Sequence, residues 1–164
     1  MIYKTSLDNV AKGVTIATTI LFAAIIVGPI LFSKDEGSSI PIFISIVLLL
    51  IYFGIFIFRP INYSLTDDNL IIHRPLTNVK IDRKEIKSVE QLDKEKLKWV
   101  IRTFGVGGLF GYWGKFANTQ IGSMTWYATR RNNAVLITTI YNKKIVLTPN
   151  DPRKFVSEFN GQTL

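Results

Sequence analysis

Cysteine is absent from the 164-residue sequence, and histidine occurs once, as His73. The absence of cysteine excludes disulfide bonds, thiolate chemistry and cysteine-ligated zinc sites. His73 is the one base that could activate a serine hydroxyl, and no cluster of carboxylates accompanies it to bind a metal ion. We therefore predict no catalytic residues, no metal site and no cofactor, and we expect that the protein is not an enzyme.

Charged residues are missing from two apolar stretches near the N-terminus, residues 14–32 and 40–58. Each stretch has 19 residues. As helices with a rise of 1.5 Å per residue they would extend about 28 Å, close to the ~30 Å hydrocarbon core of a bilayer. Each is predicted to span a membrane, and the short polar segment 33–39 between them predicts an antiparallel hairpin.

Two other interpretations of these stretches are less favoured. A signal peptide would use Lys4 and Lys12 as its basic region, but the apolar run is long, lacks a small-x-small cleavage site and is followed at once by a second span. Buried helices of a soluble domain would need a polar face, which neither stretch has. The interpretation as two membrane spans therefore stands as the prediction.

The net charge of +8 belongs entirely to the sequence after the second span, because the charges up to Phe58 cancel. More basic residues lie near the span ends on the side of the two tails than on the side of the turn. The tails contribute Lys4, Lys12, Arg59, Arg74 and Lys80, and the turn contributes Lys34. The positive-inside rule predicts that both tails are cytoplasmic. The basic domain would then face anionic headgroups, which attract it.

From Pro60 onward the sequence shows strand signals at short spacing, with turn residues between them. Residues 93–102 are highly charged and fit either a short helix or a strand entering a loop. Asp151 and Pro152 are suited to begin a helix that has Phe155, Val156 and Phe159 on one face. The order predicts a small barrel, or two orthogonal sheets, closed by this helix. The seven predicted strands are residues 61–65, 70–73, 79–82, 86–92, 124–130, 134–141 and 144–147.

The stretch from Phe104 to Gly122 interleaves glycine with aromatic residues. A P-loop is excluded because Leu109 stands at the first glycine position and Phe116 replaces Ser or Thr; a dinucleotide-binding loop is excluded because Phe110 replaces the third glycine. We predict a structural loop in which glycine allows tight turns and aromatic side chains pack nearby. Its glycines are Gly105, Gly107, Gly108, Gly111 and Gly114.

The strand order, the glycine and aromatic stretch from Arg102 to Phe116, the Tyr127-Ala128-Thr129 segment and the Ile145–Pro149 segment together resemble bacterial pleckstrin-homology (PH) domains. In particular they are similar to the short, membrane-anchored type with an N-terminal two-helix hairpin. The resemblance covers residues 61–159. It implies a membrane α-hairpin plus a mainly-β, PH-like domain, a split barrel of about seven strands capped by a C-terminal helix. The chain then divides into residues 1–59, tail and hairpin, and residues 60–164, the PH-like domain.

We therefore expect a non-catalytic binding module that is a multi-pass protein of the bacterial inner membrane. Its PH-like domain would lie in the cytoplasm. Its partner would be a protein or a second copy of the chain. The alternative is a peripheral reader of anionic lipid headgroups, although the first hairpin, residues 64–69, is acidic where lipid-binding PH domains are commonly basic. Nucleic acid is not expected, since Asp93 and Glu95 dilute the basic cluster. The candidate lipid-binding residues are Lys94, Lys96, Lys98, Arg102 and Lys115.

Overall fold

Two long apolar helices precede the β domain in the computed structural model, which describes residues 1–32 and 39–161. Helix α1 runs from Asn9 to Phe32 and helix α2 from Ile40 to Ile57. Helix α1 begins five residues before the predicted span because Asp8 caps it: the backbone N–H of Ala11 donates to Asp8 Oδ1 over 2.7 Å. Most of the predicted turn, residues 33–38, lies outside the described residues.

Both helices are long and apolar enough to cross a membrane. The rest of the chain buries only 6% of the apolar window of α1 and none of that of α2. A helix in the core of a soluble protein would be mostly buried, and neither helix is buried in the core of the β domain. The two helices contact each other, with Thr19 Oγ1 2.8 Å from the hydroxyl oxygen of Tyr52.

The β domain consists of two sheets and a C-terminal helix, α3, from Pro152 to Gly161. The four-stranded sheet is antiparallel, in the order β1 (Ile2–Lys4), β2 (Asn62–Leu65), β3 (Asn69–His73) and β4 (Val79–Asp82). The six-stranded sheet has the order β5-β9-β10-β8-β7-β6. Its strands are β5 (Ile86–Gln91), β6 (Ile101–Gly108), β7 (Gly111–Asn118), β8 (Gly122–Ala128), β9 (Val135–Thr139) and β10 (Lys144–Leu147).

This architecture confirms the predicted fold class of apolar helices followed by a mainly-β domain with a closing helix. All seven predicted strands are present, as β2 to β5 and β8 to β10. One pairing differs from a meander in which each strand pairs with the next strand along the chain. Strand β10 lies between β9 and β8 and runs parallel to β8. The turn at Arg131-Asn132-Asn133 therefore does not join paired strands, because β9 pairs with β5 and β10 instead.

The glycine and aromatic stretch is not a loop, so the prediction of a structural loop was wrong. Its glycines lie in or at the ends of two paired eight-residue strands, β6 and β7. The prediction failed because glycine ordinarily weakens a strand. Here it permits a close approach of two backbones, which a side chain would block.

Strand β1 comes from the predicted N-terminal tail and pairs with β2, the first strand after the helices. Lys4 lies opposite Asn62 in the antiparallel register. The Thr5 hydroxyl also donates to the carbonyl oxygen of Ile61 over 2.7 Å. The two helices thus form the connection between the neighbouring strands β1 and β2. The hydrogen bonds between these strands hold the domain-side ends of the helices together.

The core between α3 and the sheets is apolar, and Tyr63 crosses it. Phe155 and Phe159 of α3 are buried, Val156 is partly buried, and Asp151 accepts a hydrogen bond from the Lys154 backbone N–H as the predicted cap. The Tyr63 hydroxyl donates to the Tyr127 carbonyl oxygen over 2.6 Å and accepts from the Thr148 N–H over 3.1 Å. Burial raises the pKa of Tyr63 to about 12, so the phenol stays protonated.

Candidate functional site

The hairpin of β6 and β7 depends on two glycines that face each other, Gly105 and Gly114. Their φ angles are 103° and 119°, in the left-handed region that residues with a side chain rarely adopt. A Cβ atom on either residue would lie 2.8 Å from the Cα atom of the other. The two strands can approach this closely only when both positions are glycine.

The tip of this hairpin contacts both long helices. Gly108 lies against α1, where an added Cβ atom would be 3.3 Å from the side chain of Val14. The Phe110 backbone N–H donates to Thr15 Oγ1 over 2.9 Å. The Phe110 ring packs against Tyr52 and Phe56 of α2, with centroids 5.1 and 5.3 Å apart. The glycine and aromatic stretch therefore links the β domain to the helix pair.

Asp8 strengthens this link at the start of α1. Besides capping the helix, its carboxylate accepts hydrogen bonds from the Tyr112 hydroxyl over 3.1 Å and from the Arg131 backbone N–H over 3.0 Å. Burial, followed by the nearby Asp8 carboxylate, raises the pKa of Tyr112 to about 12. The first turn of α1 is thereby tied to β7 and to the segment after β8.

Three of the candidate lipid-binding residues lie in one exposed turn. Lys96 lies within the short 3₁₀ helix Glu95–Leu97, and Lys94 and Lys98 lie at its two ends. Lys98 forms an ion pair with Glu95 at 2.7 Å, so part of its charge is already offset. The turn therefore presents a mixed surface with a modest basic excess.

Arg102 and Lys115 lie on opposite faces of the β6–β7 hairpin. Arg102 is paired with Phe116 and therefore shares its face, whereas Lys115 is the preceding residue of β7 and points to the other face. The Lys115 ammonium group donates to Thr125 Oγ1 over 2.9 Å. The structure thus places Lys115 apart from Arg102, and the five predicted residues do not form one continuous surface.

An open cleft of about 280 Å³ lies beside the basic turn. Trp126, stacked on Phe116, forms part of its wall, and its indole N–H has no acceptor among the described residues. Trp99 stands at the rim with 89% of its surface exposed and a φ of 56°, an unusual value for a bulky residue. The cleft is lined by Leu97, Trp99, Val100, Ile101, Phe116, Trp126 and Arg131. Its shape and apolar walls suit an apolar side chain of a partner.

The single histidine makes a structural contact. Its Nε2 atom is 2.8 Å from the hydroxyl oxygen of Ser64, a buried residue of the neighbouring strand β2. Among the described residues no carboxylate hydrogen-bonds to the His73 ring, and no group of three or more His, Asp or Glu side chains could hold a metal ion. The arrangement around His73 holds neighbouring strands together.

The two sheets and the closing helix define the class: a two-sheet β domain with a C-terminal helix, joined to a pair of apolar helices. The model of the bacterial PH domain family matches residues 61–163, and the chain belongs to this family. No curated protein and no solved structure matches the chain.

The residues that join the helices to the domain were not predicted from the sequence. Asp8 directly precedes the helix and is a good cap, so its position at the start of α1 could have been read from the sequence. Its contacts with Tyr112 and Arg131 join residues more than 100 positions apart. No local pattern signals contacts at such a separation.

Proposed function

We propose that the protein is a membrane-anchored, non-catalytic binding module that docks a protein partner at the cytoplasmic face of the bacterial inner membrane. PH domains are binding modules, which supports the absence of catalysis. The exposed apolar helices support the anchor. The pairing of β1 with β2 supports a hairpin topology, because it keeps the domain-side ends of both helices on one side of a membrane.

The exposed Trp99 at the rim of the cleft is the observation that carries the proposal. A tryptophan exposes a large apolar surface to water here, and tryptophan is enriched among the residues that dominate binding energies at protein interfaces. The Trp126 side chain forms part of the cleft wall, and its indole N–H is buried without an acceptor among the described residues.

A photo-crosslinking experiment in cells tests the proposal. A photoreactive phenylalanine analogue at Trp99 is expected to give a discrete adduct with a protein, whereas the same analogue at Tyr141 is not. Tyr141 is a suitable control because it is 64% exposed and is not one of the residues that line the cleft. An adduct of twice the chain mass would identify self-association.

Adducts with phospholipid alone at position 99 would support the alternative, a reader of anionic headgroups through the turn that carries Lys94 and Lys96. Equal protein adducts at positions 99 and 141 would contradict a specific docking surface at the cleft.

Reporter fusions test the orientation. Basic residues flank the spans on the side of both tails, so we expect the C-terminus to be cytoplasmic. Alkaline phosphatase fused after Leu164 should then be inactive, and green fluorescent protein fused at the same place should be bright. The reverse pattern would overturn the cytoplasmic placement of the domain. A version with Lys4 and Lys12 changed to Gln keeps Arg59, Arg74 and Lys80 near the end of the second span and is expected to retain the orientation.

A further inference from the structure

Arg59 occupies an unusual position at the point where α2 meets the β domain. It lies two residues after the end of the helix at Ile57. Its guanidinium group packs over the Phe56 ring at 4.3 Å and near the Phe110 ring at 5.6 Å, measured to the ring centroids. The cation is therefore held between the last turn of α2 and the tip of the β6–β7 hairpin.

No group of the described residues neutralises this cation. Its Nε atom is buried without a hydrogen-bond acceptor, and no Asp or Glu in residues 1–32 and 39–161 lies within ion-pair distance of it. Burial lowers the pKa of Arg59, since the charged form loses hydration. A partly buried guanidinium without an anionic partner is costly, and an external anion would remove that cost.

A cavity of about 180 Å³ opens at Arg59. Its volume corresponds to about six water molecules, enough for an anion of the size of phosphate. Thr5 and Ser6, before α1, and Thr129, directly after β8, also line the cavity, and their hydroxyl groups already form hydrogen bonds with the Ile61 carbonyl oxygen, Asn150 and Thr148. Apolar walls come from Leu7, Pro60, Ile61 and Phe110.

The cavity lies at the domain-side end of the apolar helix. If α2 spans the bilayer as proposed above, this end reaches the layer of lipid phosphates, and an acyl chain attached to the phosphate could follow the exposed helix surface. We infer that the cavity binds the phosphate group of a membrane phospholipid, with Arg59 as the charged ligand. Guanidinium groups match phosphate oxygens well, because they donate two parallel hydrogen bonds.

Lipid retention tests the inference. The full chain is extracted in a maltoside detergent, and the phospholipid that co-purifies per protein is measured by ³¹P NMR after denaturation. Arg59→Gln is expected to lower this ratio about tenfold, the effect of losing charged hydrogen bonds to phosphate. Arg74→Gln is the matched control: Arg74 also lies near the end of α2, over Phe58, but donates to the carbonyl oxygen and Oγ1 of Thr77. Equal retention by the two variants would overturn the inference.

A second measurement needs no variant and also separates the possible sources of phosphate. Phenylglyoxal modification of the wild-type chain is followed at Arg59 and Arg74 by peptide mass spectrometry. Arg59 is expected to react in lipid-free maltoside and to be protected several-fold in phospholipid nanodiscs, with Arg74 reacting alike in both. Protection by inorganic phosphate alone to the same extent would indicate a site for free phosphate and overturn the lipid assignment.

Failure of the anchoring proposal would be seen separately. A chain that alkaline carbonate removes from membranes is not integral, whatever its arginines bind. A chain that stays in the membrane but shows no difference between Arg59 and Arg74 leaves the anchor intact and contradicts the phosphate site.

Discussion

Replacing Phe155 by alanine is expected to lower the free energy of unfolding by about 3–5 kcal/mol, the usual cost of removing a large buried aromatic side chain. Phe155 is fully buried in the core that joins α3 to the sheets. Its ring contacts the ring of Tyr3 edge-on, with centroids 4.9 Å apart, and the Tyr3 hydroxyl donates to Glu158. The substitution would therefore loosen both the closing helix and the strand that precedes α1.

The effect can be measured by denaturant unfolding of the full chain in micelles, followed by near-ultraviolet circular dichroism. Phe104→Ala is the matched control, since Phe104 lies on the edge strand β6 with 74% of its surface exposed. It is expected to change the free energy of unfolding by no more than about 0.5 kcal/mol. Similar losses for the two variants would refute the closing role of α3.

Replacing Gly114 by alanine is expected to cost at least about 3 kcal/mol, because two penalties combine. The new methyl group would sit 2.8 Å from the Cα atom of Gly105, so the paired strands must separate. Its φ of 119° would also strain any residue with a side chain. We expect β6 and β7 to part at this point and the tip of the hairpin to shift from its contact with the helices.

Gly107→Ala supplies the comparison within the same hairpin, in the partner strand β6. A methyl group there would meet only the flexible side chain of Arg102, at 3.5 Å, and the backbone has no positive φ. Its effect on the free energy of unfolding is expected to stay within about 1 kcal/mol. Both variants can be compared by thermal unfolding, and by the fluorescence of Trp113, which packs against Phe58 at the junction with α2. Equal tolerance of both alanines would show that Gly114 is not required for the close approach.

Much of the fold could be predicted from local patterns. The two apolar helices, seven of the strands and α3 all follow from hydrophobic runs, alternation and turn residues, because each pattern is written in consecutive residues. The edges of the helices were less predictable: α1 begins at Asn9 because Asp8 caps it, although the apolar run begins at Val14.

The lipid-binding role of the five basic residues stays a prediction, and the sequence indicated only part of their arrangement. Lys94, Lys96 and Lys98 lie together because they are near in sequence, but Arg102 and Lys115 are separated by the faces of one hairpin. Which face a residue takes depends on the strand register, and the register contains an irregularity between Arg102 and Phe104. A bulge of this kind reverses the alternation, which cannot be counted across it from sequence.

By itself the sequence determined that cysteine chemistry is impossible, that two segments are apolar enough to cross a membrane, and that a basic β domain with a closing helix follows them. Composition and short-range periodicity are sufficient for these statements. Only the tertiary structure decided that β1 pairs with β2 across the helices, that Gly105 faces Gly114, and that Arg59 lies beside a cavity with no anionic partner among the described residues. Those features join residues distant in the chain, and their energies depend on distances that exist only once the backbone has closed.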